Sequence, residues 1–434
     1  MTTQITFDKI LGIVSEKLQA EHEFVQSLDW LVVNRDLNGR TRFIVPETLA
    51  KTDHYKMAAL GRELAGPLSP HSNPAEQMVI TDTNRDAACK GASAHLITGW
   101  KNVWLADRLA TEGDWASIKP VNEATKRIVF FSIKGGVGRS TAVAATAWSL
   151  AQAGKRVLVL DLDLESPGLS SSLLPSEKQP TYGITDWLVE DLVDNGDHVV
   201  ENMVATSNLS HDGEIYVVPS HGADPGDYVS KLSRVWMPRV ISMTERETWS
   251  SRLRRLLDDL EARVKPDVVL LDSRAGIDEV AGACVTDLGA NLILLFALEG
   301  TQTWSGYRIL FNHWQRSGNA ETIRERLQMV GALIPDTEPA AYSARLREDS
   351  YTLFADHLYD DIPSGQDGTE AFHFDIADDT GPHAPWPIRW HRGMTGVRSL
   401  HGRLMDIDRN EVDGIFGALI RGVNTWMGEE PQHE

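Results

Sequence analysis

The chain has 434 residues, room for two or three domains, and its 42% hydrophobic content is ample for sizeable cores. A formal net charge of −20, with 13 basic and 16 acidic side chains in residues 1–125, excludes a broadly basic nucleic-acid face and leaves only a local one open. Two cysteines, Cys89 and Cys284, exclude a disulfide framework and fit a reducing cytoplasm; no apolar run nears the roughly 20 residues of a membrane span, and the opening MTTQITFDK lacks the pattern of a signal peptide.

Apolar residues at Phe7, Ile10, Leu11, Val14 and Leu18 predict a helix over 7–26. The stretch DWLVVNRDLNGRTRFIVPE then reads as a hairpin, with Asn38-Gly39 supplying a type I′ turn. A helix over 55–66 and short strands at 78–81 and 103–106 complete a small α+β domain, residues 1–120. It shows no metal spacing, no nucleophile motif and no basic helix, so its expected role is docking a protein partner or regulating the rest. Nucleic-acid contact through Arg35, Arg40 and Arg42 on the hairpin is the second reading; exposed arginines of this kind are usually just a solvated strand face. The polar stretch Lys119–Lys126 is the expected linker.

An apolar strand at 128–131 leads into KGGVGRST, Lys134–Thr141, and then into a helix that ends at Gly154. A second apolar strand, 157–160, ends in Asp161 and Asp163. Strand, glycine-rich loop, helix and parallel strand form one βαβ unit. Three glycines (Gly135, Gly136, Gly138), with Val137 between them, let consecutive backbone N–H groups face one point, and the helix N-terminus adds partial positive charge: a cradle for phosphates. Ser140 can hold Mg²⁺ and Thr141 can reach the α-phosphate. The general pattern G-x-x-x-x-G-K-[ST] is not met literally, because Arg139 stands where the lysine is expected and Lys134 precedes the glycines.

Further along, LESPGLSSSLL reads as a loop near the phosphates, 183–194 as a helix and 215–218 as a strand. Residues 225–245 carry no clear pattern and suggest an inserted loop. An amphipathic helix follows at 248–264. Its Arg252, Arg254, Arg255 and Arg263 are diluted by Asp258, Asp259 and Glu261, which favours a solvated face over a DNA contact. The apolar strand 268–271 ends in Asp272, placed to hold a Mg²⁺-bound water. SRAGID follows as a turn that senses the γ-phosphate. Its Arg274 either stabilises developing charge as a cis arginine finger or forms a salt bridge that positions the turn. Strands at 292–296 and 330–333 flank a helix at 301–314. Six strands alternating with helices predict a doubly wound, mostly parallel sheet. The histidines His373, His383 and His391 of the irregular 363–395 segment have no metal spacing, and the last helix, 412–426, has only Arg421 as a basic residue, so packing on the core is expected and membrane attachment is not.

KGGVGRST resembles the deviant phosphate loop KGGxGK[ST] of the ParA/MinD ATPases. The DLD of Asp161–Asp163, VVPS at Val217–Ser220 and VVLLDSRAG around Asp272 extend the resemblance over residues 127–340. It implies a P-loop NTPase domain over 127–434, binding ATP and Mg²⁺. It implies that Lys134 reaches across an ATP-bound homodimer to the partner's nucleotide, and that Asp163 positions the attacking water. Ser140 and Asp272, with Asp161 in the outer shell, would serve the metal. Lys134, Arg139 and Asp163 form the catalytic set that the resemblance implies, residues 135–141 form the nucleotide cradle, and Arg274, in a turn where the family often has prolines, joins the catalytic set only if it acts as the arginine finger. Pro335 joins the nucleotide-binding set, and PHAPWPIRW (382–390) reads either as a Pro-rich surface loop or as a loose counterpart of the family's proline loop that packs near adenine. Bacterial tyrosine kinases share the loop but carry a C-terminal tyrosine cluster, whereas no tyrosine follows Tyr359 here.

Two functions follow. One is a cytoplasmic ATPase that cycles between monomer and ATP-bound dimer to position or segregate a cargo, either DNA or a protein assembly. The other is a slowly hydrolysing regulatory subunit whose N-terminal domain holds a protein partner, as in a mobile-element or defence operon.

Overall fold

The computed structural model describes residues 5–111, 113–242, 245–362, 371–394 and 400–428. The chain divides into two compact units, Met1–Ser117 with Arg316–Asn319, and Ile118–Gln315 with Ala320–Glu434.

The first unit holds a five-stranded sheet: β1 (Leu31–Arg35), β2 (Thr41–Pro46), β3 (Val79–Asp82), β4 (Ser93–Leu96) and β5 (Val103–Asp107). The spatial order is β3-β2-β1-β5-β4. Alternation in β1, β2 and β5 sends Leu31, Val33, Phe43, Val45, Val103 and Leu105 to one face, where Ile10, Val14 and Leu18 of helix Ile10–Ala20 and Met57, Leu60 and Leu64 of helix Lys51–Ala65 cover them. The opposite residues Val32, Ile44 and Ala106 meet Ala88 of a short helix, Arg85–Cys89.

Three details differ from the sequence reading. The 7–26 helix is broken at Glu21, between helices Ile10–Ala20 and His22–Gln26. The hairpin turn is not type I′, since only Gly39 has positive φ (74°); the Asp36 carbonyl accepts from Gly39 N–H and that of Arg40 from Asp36 N–H, and the Asp36 carboxylate accepts from both Asn38 and Arg40 N–H, so the fourth turn residue takes the left-handed conformation. Arg35 does not lie on a free strand face: it is buried, ion-paired with Asp107 and stacked on Phe7.

The second unit is built on β6 (Lys126–Ser132), β7 (Arg156–Asp161), β8 (Ala205–Thr206) and β9 (Glu214–Val218). A two-stranded ribbon follows, β10 (Arg239–Val240) with β11 (Arg246–Glu247), and then β12 (Val268–Ala275), β13 (Leu292–Ala297), β14 (Leu327–Ile334) and β15 (Trp386–Arg389). The eight-stranded sheet runs β15-β14-β13-β6-β12-β7-β9-β8, parallel throughout except for β8. Its strands read as unbroken apolar runs because both faces are covered. Ile128 and Phe130 face helices Arg139–Gln152 and Arg409–Met427. Arg127 and Phe131 face the other way: Arg127 donates to Glu261 of helix Trp249–Val264 at 2.7 Å, and Phe131 meets Tyr307 of helix Thr301–Arg316 edge-on. The last helix buries Val412, Ile415, Phe416, Leu419 and Val423 in the same core, and among the described residues no helix is long and apolar enough to cross a membrane.

Several segments are corrected. The 119–126 stretch is pinned rather than free: Lys119 N–H donates to Thr286, Asn122 N–H to Gly289, and Lys126 begins β6. The serine-rich loop after Asp163 contains a helical turn, Leu169–Leu173. The 225–245 region forms helix Tyr228–Leu232 and one arm of the ribbon. The 382–390 segment is a loop only in its first half: residues 382–385 turn, and Trp386–Arg389 is the parallel edge strand β15, held by burial of Ile388 and by Trp386, which packs against the last helix at Gly422. Of the 363–395 stretch, residues 363–370 lie outside the described residues.

Candidate functional site

The site lies at the carboxyl ends of β6, β7 and β12, the central strands, where parallel α/β sheets place ligand-binding loops. The glycine-rich loop links β6 to helix Arg139–Gln152. Gly136 (φ 74°) and Gly138 (φ 79°) take the left-handed conformation that glycine adopts without penalty. A Cβ on Gly138 would stand 3.3 Å from Leu333 Cδ2 at the end of β14. Leu333 itself has φ 51°, unusual for a bulky residue, where the β14–β15 register shifts between Gly331 and Ile334. Pro335 follows directly, half-buried at the same edge. Within the loop Lys134, Gly135 and Gly136 are exposed and Val137 is buried, while Ser140 and Thr141 sit half-buried in the first helical turn.

Three carboxylates face this loop. Asp161 and Asp272 are paired positions on the adjacent strands β7 and β12, both essentially buried. Asp161 Oδ2 accepts from the backbone N–H groups of Gly168 (3.3 Å) and Ser170 (3.2 Å). Its Oδ1 and Asp272 Oδ2 are buried with no hydrogen-bond partner. Burial, reinforced by the Asp272 charge, pushes the Asp161 carboxyl up to about 7. Asp163, two residues on, is also raised, by burial first, with Arg139 opposing.

Arg139 points into this group. Its Nε donates to Asp272 Oδ1 at 2.7 Å, Nη1 to Ser132 Oγ at 3.1 Å and Nη2 to Asp163 Oδ2 at 3.4 Å. Its side chain is 7% exposed. Burial works against its charge, but Asp272, then Asp163 and Asp161, outweigh burial and hold it charged. Among the described residues no three His, Cys, Asp or Glu side chains are disposed to hold a metal by themselves. The two orphaned carboxylate oxygens nonetheless suit a hard cation that also takes phosphate, hydroxyl and water oxygens.

Arg274 lies on the extended end of β12, half-buried. Its Nη2 is 2.6 Å from Glu165, its Nη1 3.3 Å from Asp278 and its Nε 4.0 Å from Asp163. It therefore joins the segment after Asp163 to the segment after Asp272. Gly276 (φ 100°) closes that turn, donating its N–H to Ser132 O at 2.9 Å. Tyr228, which sequence reasoning missed, donates its hydroxyl to Leu164 O at 2.6 Å and ties the 225–247 insertion to the same segment. A lone tyrosine in an unpatterned stretch carries no signal of this.

Three of the four arginines of helix Trp249–Val264 are engaged within the chain. Arg252 is fully buried, donating to Asp191 at 2.8 Å and to the Met237 and Leu188 carbonyls. Arg255 pairs with Asp191 and Glu247, and Arg263 with Asp259.

With this geometry in view, residues 128–375 match the sequence family described as "CobQ/CobB/MinD/ParA nucleotide binding domain". A relative named as an arsenical pump-driving ATPase of Aquifex aeolicus (strain VF5) is 45% identical over 53 residues, 12% of this chain; the match spans only 13% of that relative's length. The chain is similar to the crystal structure of a ParA family ATPase from Chlorobium tepidum TLS (15% identity, 71% of this chain, 100% of that one, TM-score 0.43). It is also similar to the septum site-determining protein MinD with Mg-ADP from Pyrococcus horikoshii OT3 (18% identity, 70% and 98%, TM-score 0.43).

Proposed function

Because this chain belongs to the CobQ/CobB/MinD/ParA nucleotide-binding family, we propose that it is an ATP-binding and ATP-hydrolysing switch whose ATP-bound form is a homodimer. The observation that carries this reading is the convergence of the glycine-rich loop with Asp161, Asp163 and Asp272 at three adjacent strand ends. The backbone N–H groups of Gly135 to Gly138 and of the first helical turn would receive the phosphate oxygens. Thr141 would reach the α-phosphate, and Pro335 would border the base.

Mg²⁺, when bound, supplies positive charge to the β- and γ-phosphates; Ser140 and Asp272, with Asp161 behind them, would hold it. Asp163 would orient the attacking water, which requires that it leave Arg139. Lys134, exposed at the loop's start, is free to reach a second copy's nucleotide. Arg274 we assign as a tie between the two segments that flank the γ-phosphate, since its charge is already spent on Glu165 and Asp278.

One observation favours slow turnover, and with it the regulatory-subunit reading. Arg139 is paired with both Asp163 and Asp272, so hydrolysis must first break a buried contact. A protein partner held by the first unit fits that reading. If DNA is the cargo, helix Trp249–Val264 offers it little, since three of its four arginines are already paired. Phosphate release from Mg-ATP by wild type and by Asp163→Ala tests the proposal: wild-type turnover lost in the variant is expected, and equal rates would reject the assignment of Asp163. ATP-dependent DNA binding that weakens steeply with salt would restore the DNA reading.

A further inference from the structure

Arg139 is both the departure from the usual loop pattern and the most deeply buried cation of the site. A lysine is a point charge on a flexible stem, whereas a guanidinium is a rigid fork of five donors. Here three of its nitrogens each find a separate acceptor, on Asp272, Ser132 and Asp163. The pair Arg139–Asp272 is almost completely removed from water (7% and 1% exposed), so neither charge is easily left alone. Beside it, Asp272 Oδ2 and Asp161 Oδ1 remain buried without partners. The cluster thus sets three carboxylates against Arg139, with Arg274 only at its edge, 4.0 Å from Asp163.

We propose that Arg139 is the resident counter-ion of the Asp161–Asp163–Asp272 cluster in the nucleotide-free chain, and that nucleotide loading exchanges it for a divalent metal. This rests on the nucleotide-binding reading above. Phosphates entering the loop offer the fork a bidentate acceptor and draw it off the carboxylates. The vacated carboxylates then need a cation, and the ion arriving with the phosphates is the one at hand. Metal affinity is therefore low until phosphate is present. The same exchange frees Asp163, so water activation waits for complete loading.

The test is Mn²⁺ binding to the full chain without nucleotide, read as water-proton relaxation enhancement. Wild type should bind Mn²⁺ weakly, Arg139→Gln at least tenfold more tightly, and Arg139→Lys, which keeps the charge, close to wild type. Equal affinity in wild type and a folded Arg139→Gln overturns the exchange. Should that variant not fold, wild type decides alone: enhancement must be small with Mn²⁺ only and rise on adding ADP, and strong enhancement before nucleotide overturns the proposal. A fluorescent ATP analogue titrated with Mg²⁺ keeps the two failures apart. No analogue binding overturns the nucleotide reading and the exchange with it. Analogue binding alongside tight nucleotide-free Mn²⁺ binding overturns the exchange only.

Discussion

Asp161→Asn removes one negative charge from the cluster without changing its shape. The wild-type carboxyl is buried, lies beside Asp272 and titrates near 7 against an ordinary 3.8. In the window between those values the folded chain holds a proton that the unfolded chain has released, so wild-type stability falls as pH rises from about 4 and levels off above about 7. A shift of about three units corresponds to roughly 4 kcal/mol, a ceiling on the cost at pH 8. Asparagine keeps an oxygen for the Gly168 and Ser170 N–H groups and carries no charge. The nucleotide-free variant should therefore unfold at higher temperature than wild type at pH 8, with the gain shrinking towards pH 5. Calorimetry at the two pH values, following the transition of the second unit, measures this. A difference that is the same at both pH values would refute the electrostatic reasoning. With Mg-ATP the order should reverse, because the charge that costs stability in the empty site is then compensated.

Asp191→Ala strips Arg252 and Arg255 of their shared carboxylate and leaves Arg252 buried with only carbonyl acceptors; a loss of about 3 kcal/mol or more is expected in chemical denaturation. Gly306→Ala would place a Cβ 2.3 Å from Ile133 Cγ2, immediately before the glycine-rich loop. It should cost about 1–3 kcal/mol and weaken ATP-analogue binding, whereas the solvent-side Gly12→Ala should do neither. Arg274→Ala should leave ATP-analogue affinity near wild type and raise protease sensitivity of the 164–168 and 276–279 segments; a turnover loss of a thousandfold with unchanged proteolysis would favour the arginine-finger role instead.

The parts of this molecule that were legible in its sequence are those fixed by local chemistry. A phosphate cradle needs small residues at set spacing between a strand and a helix, and buried parallel strands need unbroken apolar runs. Hence the strand, glycine-rich turn and helix around Lys134–Thr141, and the placing of Asp161 and Asp272 on β7 and β12, could be read directly. What escaped depends on distant partners. Nothing near Arg139 in the chain says that its fork closes on Asp272, more than a hundred residues away. The arginines of helix Trp249–Val264 alternate with acids as a solvated face does, yet Arg252 turns inward because Asp191 awaits it. The Pro-rich 382–390 stretch reads as a loop, but at a sheet edge proline is tolerated, and Ile388 and Trp386 supply the burial that makes it β15. The hairpin turn type is not fixed by its sequence, because asparagine before glycine suits two turn types and only the loop's backbone hydrogen bonds separate them.

The central claim is that nucleotide switches this chain between two assemblies. Its most direct test is molar mass by light scattering without nucleotide, with Mg-ADP and with Mg-ATP. A rise from 48.1 kDa to twice that value with Mg-ATP alone, abolished by Lys134→Ala, is the predicted result. One mass in all three conditions would contradict the switch and leave only a nucleotide-binding fold.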